Sequence, residues 1–441
     1  MRKKMFISLS AVLLLLIGAI GGVSAQSGLK LDGQLNSGLG IVLPGVEDAD
    51  PFMKAFTADA EHQGLRFRLN GAYVNEAENA GVNFRFQTQG DLSTWGYFTL
   101  NVASGWVSFF DGKLRLTGGI VEDYSWQVGD YFARRFTFAQ GLGGLVRATP
   151  IEGLRLGFGV FTASRSTNGG FWWSQDYGGT NASPPAFGTI RPELNDVRYT
   201  LHAGYTMPDV FRADVSFRFP NKAGGNGSDP NGDRNDTTIH FYNGHDEDMA
   251  FLAGFRFLGV SDLTAAVSFF ATNLQRWDEN GLFQPFLSLG YKMGDINVGL
   301  DSSAWFYSKD WGGKDAKPAP SAVFIPWASY AIGNVVPRLD LYIFPNGSSA
   351  LGGSESWNWH RVGYVNRANR TDGNNDQGHF LFGLRPSVKI NVDSRAHVEF
   401  GAQINMDFAE NDYWNKKGGF ATPDTDSRTS AAIFVDFKWV F

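Results

Sequence analysis

Apolar and polar side chains alternate one by one along much of this chain, and this period of two constrains its fold more than any other feature. The clearest run is 396–408, in which Ala, Val, Phe, Ala, Ile, Met and Phe alternate with mostly polar residues. Successive side chains of a β-strand point to opposite faces, so each such run predicts a strand with one apolar and one polar face. Similar runs occupy 29–41, 65–73, 82–87 and 197–205. The sequence therefore predicts an all-β protein.

The connections between these runs alternate between short and long. The short ones are rich in Gly, Pro, Asn and Asp, which form tight hairpin turns, and they lie at 111–112, 149–153, 207–209, 259–262, 293–295, 332–334 and 391–393. The long ones are polar and lie at 43–62, 123–141, 164–194, 220–247, 307–321, 345–377 and 409–428. Short turns at one end and long loops at the other are typical of an antiparallel up-and-down transmembrane β-barrel.

The runs predict a barrel of about 16–18 strands. The larger number corresponds to strands at 28–42, 63–75, 81–90, 94–110, 113–122, 142–150, 153–163, 195–206, 210–219, 248–258, 261–273, 281–292, 295–306, 322–331, 335–344, 378–390, 394–408 and 429–441. The smaller number stays open because 94–110, 142–150 and 322–331 alternate poorly. Four prolines also fall inside these ranges, where each removes a ladder hydrogen bond: Pro285, Pro326, Pro337 and Pro386.

Residues 1–25 have the pattern of a secretory signal peptide. Basic residues at 2–4 precede an apolar run over 11–20, and small residues end the segment at Ala25. That run is shorter than the roughly 20 residues of a membrane-spanning helix, and no later stretch reaches this length. The chain has no Cys, which excludes disulfides and thiolate metal sites. We therefore expect an exported protein with a single barrel domain at 26–441.

A soluble β-propeller or sandwich is the alternative fold, because it also contains many short strands. A propeller carries a repeat for each blade, and no repeat of that spacing is evident in the sequence. Alternation alone does not say which face of the strands points outward, so the strand pattern leaves the sandwich open.

The last run of the sequence narrows the choice. Ala431, Ile433, Val435, Phe437, Trp439 and Phe441 alternate with Asp436 and Lys438. This run resembles the closing strand of bacterial outer-membrane porin-like β-barrels. The resemblance implies that Phe437, Trp439 and Phe441 form the signal read by the barrel-assembly machinery. It also implies export through the periplasm of a Gram-negative-type bacterium into outer-membrane lipid, passage of small hydrophilic solutes, and a homotrimer as one possible assembly.

In such a barrel the apolar faces meet lipid and the polar faces line an aqueous lumen. Aromatic residues near the strand ends are candidates for interfacial belts, namely Tyr73, Tyr199, Tyr205, Phe257, Tyr291, Tyr330, Phe408 and Trp439. The predicted basic pore lining is Arg66, Arg68, Arg85, Arg115, Arg147, Arg155, Arg198, Arg212 and Arg218, and the predicted acidic lining is Asp301, Asp340, Glu399, Asp407 and Asp436. By resemblance, a basic wall opposite acidic groups predicts a slight preference for anions. The alternative hypothesis is that these arginines only pair with carboxylates and fill space in the lumen.

The long loops carry aromatic residues that could stack on sugars or pack a lid, among them Trp172, Trp173, Trp357 and Trp359. One loop, either 123–141 or 164–194, is expected to fold inward and narrow the channel. Segments 229–236 and 372–376 only partly resemble calcium loops, and no metal site or other cofactor is predicted. No Ser, His and acid arrangement typical of a nucleophile is evident, and a net charge of −6 does not favour nucleic-acid binding.

The sequence thus predicts a non-enzymatic outer-membrane porin, a passive diffusion channel for small hydrophilic solutes, either mildly anion-selective or permeable to sugars. A surface adhesin or receptor, with the barrel as its anchor, is the second hypothesis. A barrel hydrolase is the third.

Overall fold

The computed structural model describes residues 28–43, 51–55, 66–88, 98–126, 137–162, 197–220, 249–272, 274–308, 321–345, 380–408 and 428–441. These residues form one antiparallel sheet. Its strands are β1 (Leu29–Leu43), β2 (Phe52–Ala55), β3 (Arg66–Val74), β4 (Ala80–Thr88), β5 (Phe98–Phe109), β6 (Leu114–Glu122), β7 (Gln140–Ile151), β8 (Leu154–Thr162), β9 (Val197–Met207), β10 (Phe211–Pro220), β11 (Ala250–Phe257), β12 (Leu263–Thr272), β13 (Leu282–Met293), β14 (Ile296–Tyr307), β15 (Ser321–Tyr330), β16 (Val335–Phe344), β17 (Phe380–Asn391), β18 (Ala396–Phe408) and β19 (Arg428–Val440).

The sheet closes on itself because the first strand pairs with the last. From β3 to β19, each strand pairs with the next one in the sequence. Strand β1 then pairs with β19 along one edge, where Leu35 faces Trp439. Its other edge pairs with β3 over 29–36 and with the short strand β2 over 39–42. Since β2 and β3 share one edge of β1, the barrel is 18-stranded.

The predicted up-and-down barrel is confirmed, and all the predicted strand ranges overlap strands of the structure. The three poorly alternating ranges correspond to β5, β7 and β15, so the alternative of 16 strands is wrong. Only β2 was not predicted. The short turns lie at one end of the barrel, here called the short-turn end. The segment predicted to be a signal peptide and most of the long loops lie outside the described residues.

Three of the four prolines coincide with gaps in the hydrogen-bonded ladders. The β13–β14 pairing skips the position of Pro285, the β15–β16 pairing skips Pro326, and the β17–β18 pairing skips Pro386. Each proline still pairs in register with the strand on its other side. A strand tolerates proline where its missing N–H would have pointed at a gap, so these residues do not end the strands.

The apolar face of the strands points outward. The large exposed apolar side chains alternate along the strands, for example Leu39, Ile41 and Leu43 in β1. Polar residues of the opposite face are buried inside the barrel, for example Gln87, Ser216 and Gln403. A soluble sandwich would bury its apolar face, so this arrangement excludes that alternative for the described strands. Among the described residues, no helix is long and apolar enough to cross a membrane.

Exposed aromatic residues form a ring near the short-turn end of the barrel. They are outward-facing and lie close to the ends of their strands: Tyr73, Tyr205, Tyr291, Tyr330 and Trp439. Tyrosine and tryptophan are enriched where a membrane meets water, because their rings are apolar and their tips are polar. These five residues belong to the predicted belt, whereas Phe257, predicted at the same end, is only partly exposed.

The seam between β1 and β19 is closed around Phe441. The backbone of Phe441 exchanges two hydrogen bonds with Gly33, of 2.8 and 3.0 Å. Its ring stacks on Phe67 and contacts Trp439, with ring centroids 6.1 and 5.4 Å apart. A Cβ atom added to Gly33 would lie 2.2 Å from the Phe441 ring. Glycine at 33 therefore leaves the space that this ring occupies.

Candidate pore and its charged lining

The predicted basic residues whose side chains are described lie on the polar face of strands in the first half of the chain. The described side chains belong to strands β3, β4 and β6–β10 and are those of Arg68, Arg85, Arg115, Arg147, Arg155, Arg198, Arg212 and Arg218. Arg66 and Asp407 lie on β3 and β18, but their side chains are outside the described part. The aromatic loop residues Trp172, Trp173, Trp357 and Trp359 also lie outside it.

Part of this wall borders a recess of about 460 Å³. Its lining includes Arg85, Arg115 and Arg147 from the predicted basic wall. Three carboxylates line it as well, those of Asp32, Glu122 and Asp123, and none of them belongs to the predicted acidic set. The recess is therefore a polar space that carries both signs of charge.

A chain of polar contacts crosses the wall of the recess from β1 to the end of β6. Asn70 donates to Asp32 at 2.5 Å and accepts from Nε of Arg85 at 2.9 Å. Arg85 forms an ion pair with Glu122, and the Tyr124 hydroxyl donates to the same carboxylate at 2.7 Å. These contacts fix Arg85 against the wall. Its charge is largely compensated by Glu122.

A second group of charges is centred on Asp214, a buried residue of β10. Arg155 donates to Oδ1 of Asp214 at 2.7 Å, and Arg212 donates from Nε to Oδ2 at 2.8 Å. The Asp214 side chain is 1% exposed. Gly204 lies between Asp214 and Arg155 on β9, where an added Cβ would be 2.0 Å from Oδ1 of Asp214. Glycine at 204 thus lets the ion pair cross an intervening strand.

The same two arginines hold the turn that follows β6. Arg155 donates to the Ser125 carbonyl oxygen at 2.9 Å, and Arg212 donates to the same oxygen. The next residue, Trp126, is 1% exposed and stacks on His202 of β9, with ring centroids 4.9 Å apart. An added Cβ at Gly157 would lie 2.6 Å from the Trp126 ring, so this glycine makes room for the indole. The turn is held against the inner wall.

The chain returns to β7 on the inside of the barrel. Phe138 is 2% exposed and belongs to a buried cluster with Leu252, Phe270 and Phe286 of β11–β13. The Arg218 guanidinium lies 5.1 Å from the centre of the Phe138 ring. Of the two loops proposed to fold inward, 123–141 thus has both described ends, 123–126 and 137–139, within the lumen. Segment 164–194 lies outside the described residues.

The wall formed by β14–β19 carries the later acidic residues, and two of them form ion pairs with arginines. Arg338 forms an ion pair with Asp340 at 2.6 Å, and Arg385 pairs with Glu399 at 3.1 Å. Asp301 accepts from the Trp327 indole N–H at 3.1 Å and from Ser288 at 2.7 Å. Asp436 is buried on β19. This wall therefore has basic and acidic groups in close pairs.

Four carboxylates of the site were missed by the sequence reasoning, namely Asp32, Glu122, Asp123 and Asp214. Asp214 has the same parity on β10 as Arg212 and Arg218, so the pattern that selected the arginines could have found it. His202 contacts the Ser216 hydroxyl at 2.7 Å and the Thr200 hydroxyl at 3.0 Å. This Ser–His pair is covered by Trp126, and a hydroxyl occupies the position of the orienting acid. Among the described residues, no cluster of three or more His, Asp or Glu could hold a metal.

The described strands form a closed antiparallel barrel with an apolar exterior, a belt of exposed aromatic residues and a charged lumen. These features define the class of transmembrane β-barrels. Solved structures with a similar fold are outer-membrane proteins. The chain is similar to OpdO of Pseudomonas aeruginosa, with 11% identity, a TM-score of 0.50, and 94% of this chain and 97% of that chain covered. It is also similar to the outer membrane protein OprD of Pseudomonas aeruginosa (11% identity, TM-score 0.47, 95% and 96% covered) and to an anion-selective porin of Comamonas acidovorans (11% identity, TM-score 0.44, 94% and 100% covered).

Neither a protein-family model nor a curated protein sequence matches this chain. The structural similarity concerns the fold, which is that of the outer-membrane porin barrels.

Proposed function

We propose that this protein is an outer-membrane porin through which small hydrophilic solutes diffuse passively. The observation that carries the proposal is the orientation of the two faces, apolar toward the outside and charged toward the lumen. An 18-stranded barrel is wide enough to leave an aqueous channel. The inward segment at 123–126 and 137–139 occupies part of that space and narrows the passage.

We further propose a mild preference for anions. The described wall from β3 to β10 carries more arginines than carboxylates. Four arginines of this wall have carboxylate partners, namely Arg85, Arg147, Arg155 and Arg212. This supports the alternative that they mainly hold the structure together. Arg115 makes no ion pair within the described part of the chain. It lies 3.9 Å from the Trp106 ring centre and faces the recess, so we assign it most of the selectivity.

Conductance in a planar lipid bilayer tests the pore, and the reversal potential in a salt gradient tests its selectivity. Arg115→Gln removes a lumen charge and is expected to shift the reversal potential toward cations. Lys113→Gln removes the same charge from the exposed β5–β6 turn, two residues away, and is expected to leave the reversal potential nearly unchanged. Absence of conductance would favour the anchor hypothesis, in which the loops bind a partner and the lumen is closed. A cation preference that Arg115→Gln does not alter would contradict the selectivity proposal.

Sugar permeation is a separate part of the proposal. Its sequence support comes from loop tryptophans outside the described residues. Swelling of liposomes that contain the protein, measured in isotonic solutions of sugars of increasing size, tests it directly.

A further inference from the structure

Two arginines face each other on the inner wall of the recess. Arg115 of β6 and Arg147 of β7 are directly opposite in the antiparallel register. Side chains in this relation have Cβ atoms about 4.5–5.5 Å apart, and like charges placed there destabilise a sheet. The Asp123 carboxylate approaches Arg147 to 3.9 Å. One carboxylate faces two guanidinium groups, so the pair keeps an excess of positive charge.

The guanidinium group of Arg115 makes few hydrogen bonds within the described part of the protein. Its guanidinium lies over the Trp106 ring, 3.9 Å from the ring centre. Such a contact stabilises the cation but satisfies none of its N–H donors. The buried Nε atom of Arg115 has no hydrogen-bond partner in the described structure. A guanidinium carries five N–H donors and cannot lose its charge. Arg115 also lines the recess, so its terminal amino groups can donate to an acceptor that enters there.

The surroundings of the pair indicate the chemistry of that acceptor. Thr117 and Ser104 line the same recess, and Thr117 follows Arg115 on the same face of β6. One guanidinium fork satisfies the two oxygens of a carboxylate. Two opposed guanidinium groups with hydroxyls nearby offer donors in several directions, which suits a tetrahedral group with three or more acceptor oxygens.

We propose that Arg115 and Arg147 form a binding site for a phosphate group, carried by inorganic phosphate or by a small phosphate monoester. Because the site lies in the lumen, phosphate and its monoesters would be a substrate class of the proposed pore. The inference rests on the proposed function only in that the ligand must reach the lumen. Bound phosphate would place its negative charge between the two guanidinium groups and remove their repulsion.

Calorimetric titration of the folded, detergent-solubilised protein with inorganic phosphate tests the site without requiring conductance. Arg115→Gln and Arg147→Gln are each expected to weaken binding by about 10-fold or more, because hydrogen bonds to a charged group contribute about 1.5–3 kcal/mol. Arg115→Lys keeps the charge and loses the fork, so we expect weakened binding there too. Lys113→Gln is the matched control, since Lys113 lies on the exposed β5–β6 turn, two residues from Arg115, and does not line the recess. Its affinity for phosphate is expected to stay within about twofold of the unmodified protein.

Chloride current in a bilayer provides the second measurement, with inorganic phosphate, glycerol 3-phosphate and acetate added in turn. We expect block by phosphate, and block by glycerol 3-phosphate if the site also accepts monoesters. Equal block and equal binding by acetate would overturn the assignment to phosphate. Conductance without any phosphate binding would overturn the site while leaving the pore intact. Phosphate binding without conductance would support the site and contradict the pore. Variants that fail to fold are recognised by loss of the heat-modifiable band. The phosphate affinities of the folded variants of Arg115 and Arg147 then test the proposal.

Discussion

Replacing Asp214 with Asn should destabilise the barrel strongly although it changes little volume. The carboxylate is 1% exposed and binds Arg155 and Arg212 at 2.7 and 2.6 Å. Removing one partner from a buried ion pair costs about 3–5 kcal/mol, because the other charge stays buried without compensation. Here two guanidinium groups would lose their shared partner while both still donate to the Ser125 carbonyl. The Arg155 and Arg212 side chains are 21% and 28% exposed, so water compensates part of their charge. We therefore expect a loss at the lower end of this range, about 3 kcal/mol, in the free energy of unfolding.

Urea unfolding of the protein in lipid vesicles measures this loss. Asp32→Asn is the matched control, because Asp32 is an exposed lumen carboxylate whose contact is with Asn70 at 2.5 Å. It should cost about 1 kcal/mol or less. Adding Arg155→Gln and Arg212→Gln to Asp214→Asn removes the unpaired charges and should recover part of the loss. A loss of less than about 1 kcal/mol in Asp214→Asn would refute the reasoning that this carboxylate holds the two arginines.

Three further predictions concern the inward segment, the seam and the lumen charge. Trp126→Ala should lower the free energy of unfolding by about 3–5 kcal/mol, since truncating a buried tryptophan leaves a cavity. It should also raise single-channel conductance. Unchanged values of both quantities would contradict the packing of Trp126 against His202. Gly33→Val should displace Phe441 and reduce the yield of folded barrel seen as a heat-modifiable band, whereas Gly118→Ala, whose added Cβ would lie 3.9 Å from the nearest atom, should fold normally. The anion preference should decrease when the mean salt concentration of the gradient is raised from 0.1 to 1 M, because the Debye length falls from about 10 Å to about 3 Å. A reversal potential that stays the same at both concentrations would argue against exposed lumen arginines as the source of the preference.

The strands could be predicted from the sequence because their signal is local. Alternation records that the two sides of a strand meet different surroundings, and it needs no knowledge of the neighbouring strands. The prolines were harder to interpret, because Pro326 is tolerated only where the ladder to β16 has a gap. Strand β2 was missed because four residues are too few to show a period.

The partners of the charged side chains could not be predicted in the same way. The inner position of Asp214 follows from parity, but its two arginines lie on β8 and β10, and the contact with Arg155 depends on Gly204 between them. Trp126 lies beyond the end of β6, where alternation gives no information. Glycines at inward positions such as Gly157 were the available signal, because a missing side chain on a lumen face leaves room for an incoming ring.

The pairing of β1 with β19 joins two strands that lie more than 380 residues apart in sequence. The barrel therefore cannot close until β19 has been synthesised and delivered. A nascent or truncated chain would present two free edges, each able to recruit a strand from another molecule. Contacts of such sequence separation also form slowly. Safe delivery of this protein thus requires that its unfinished form be kept apart from its neighbours until the final strand arrives.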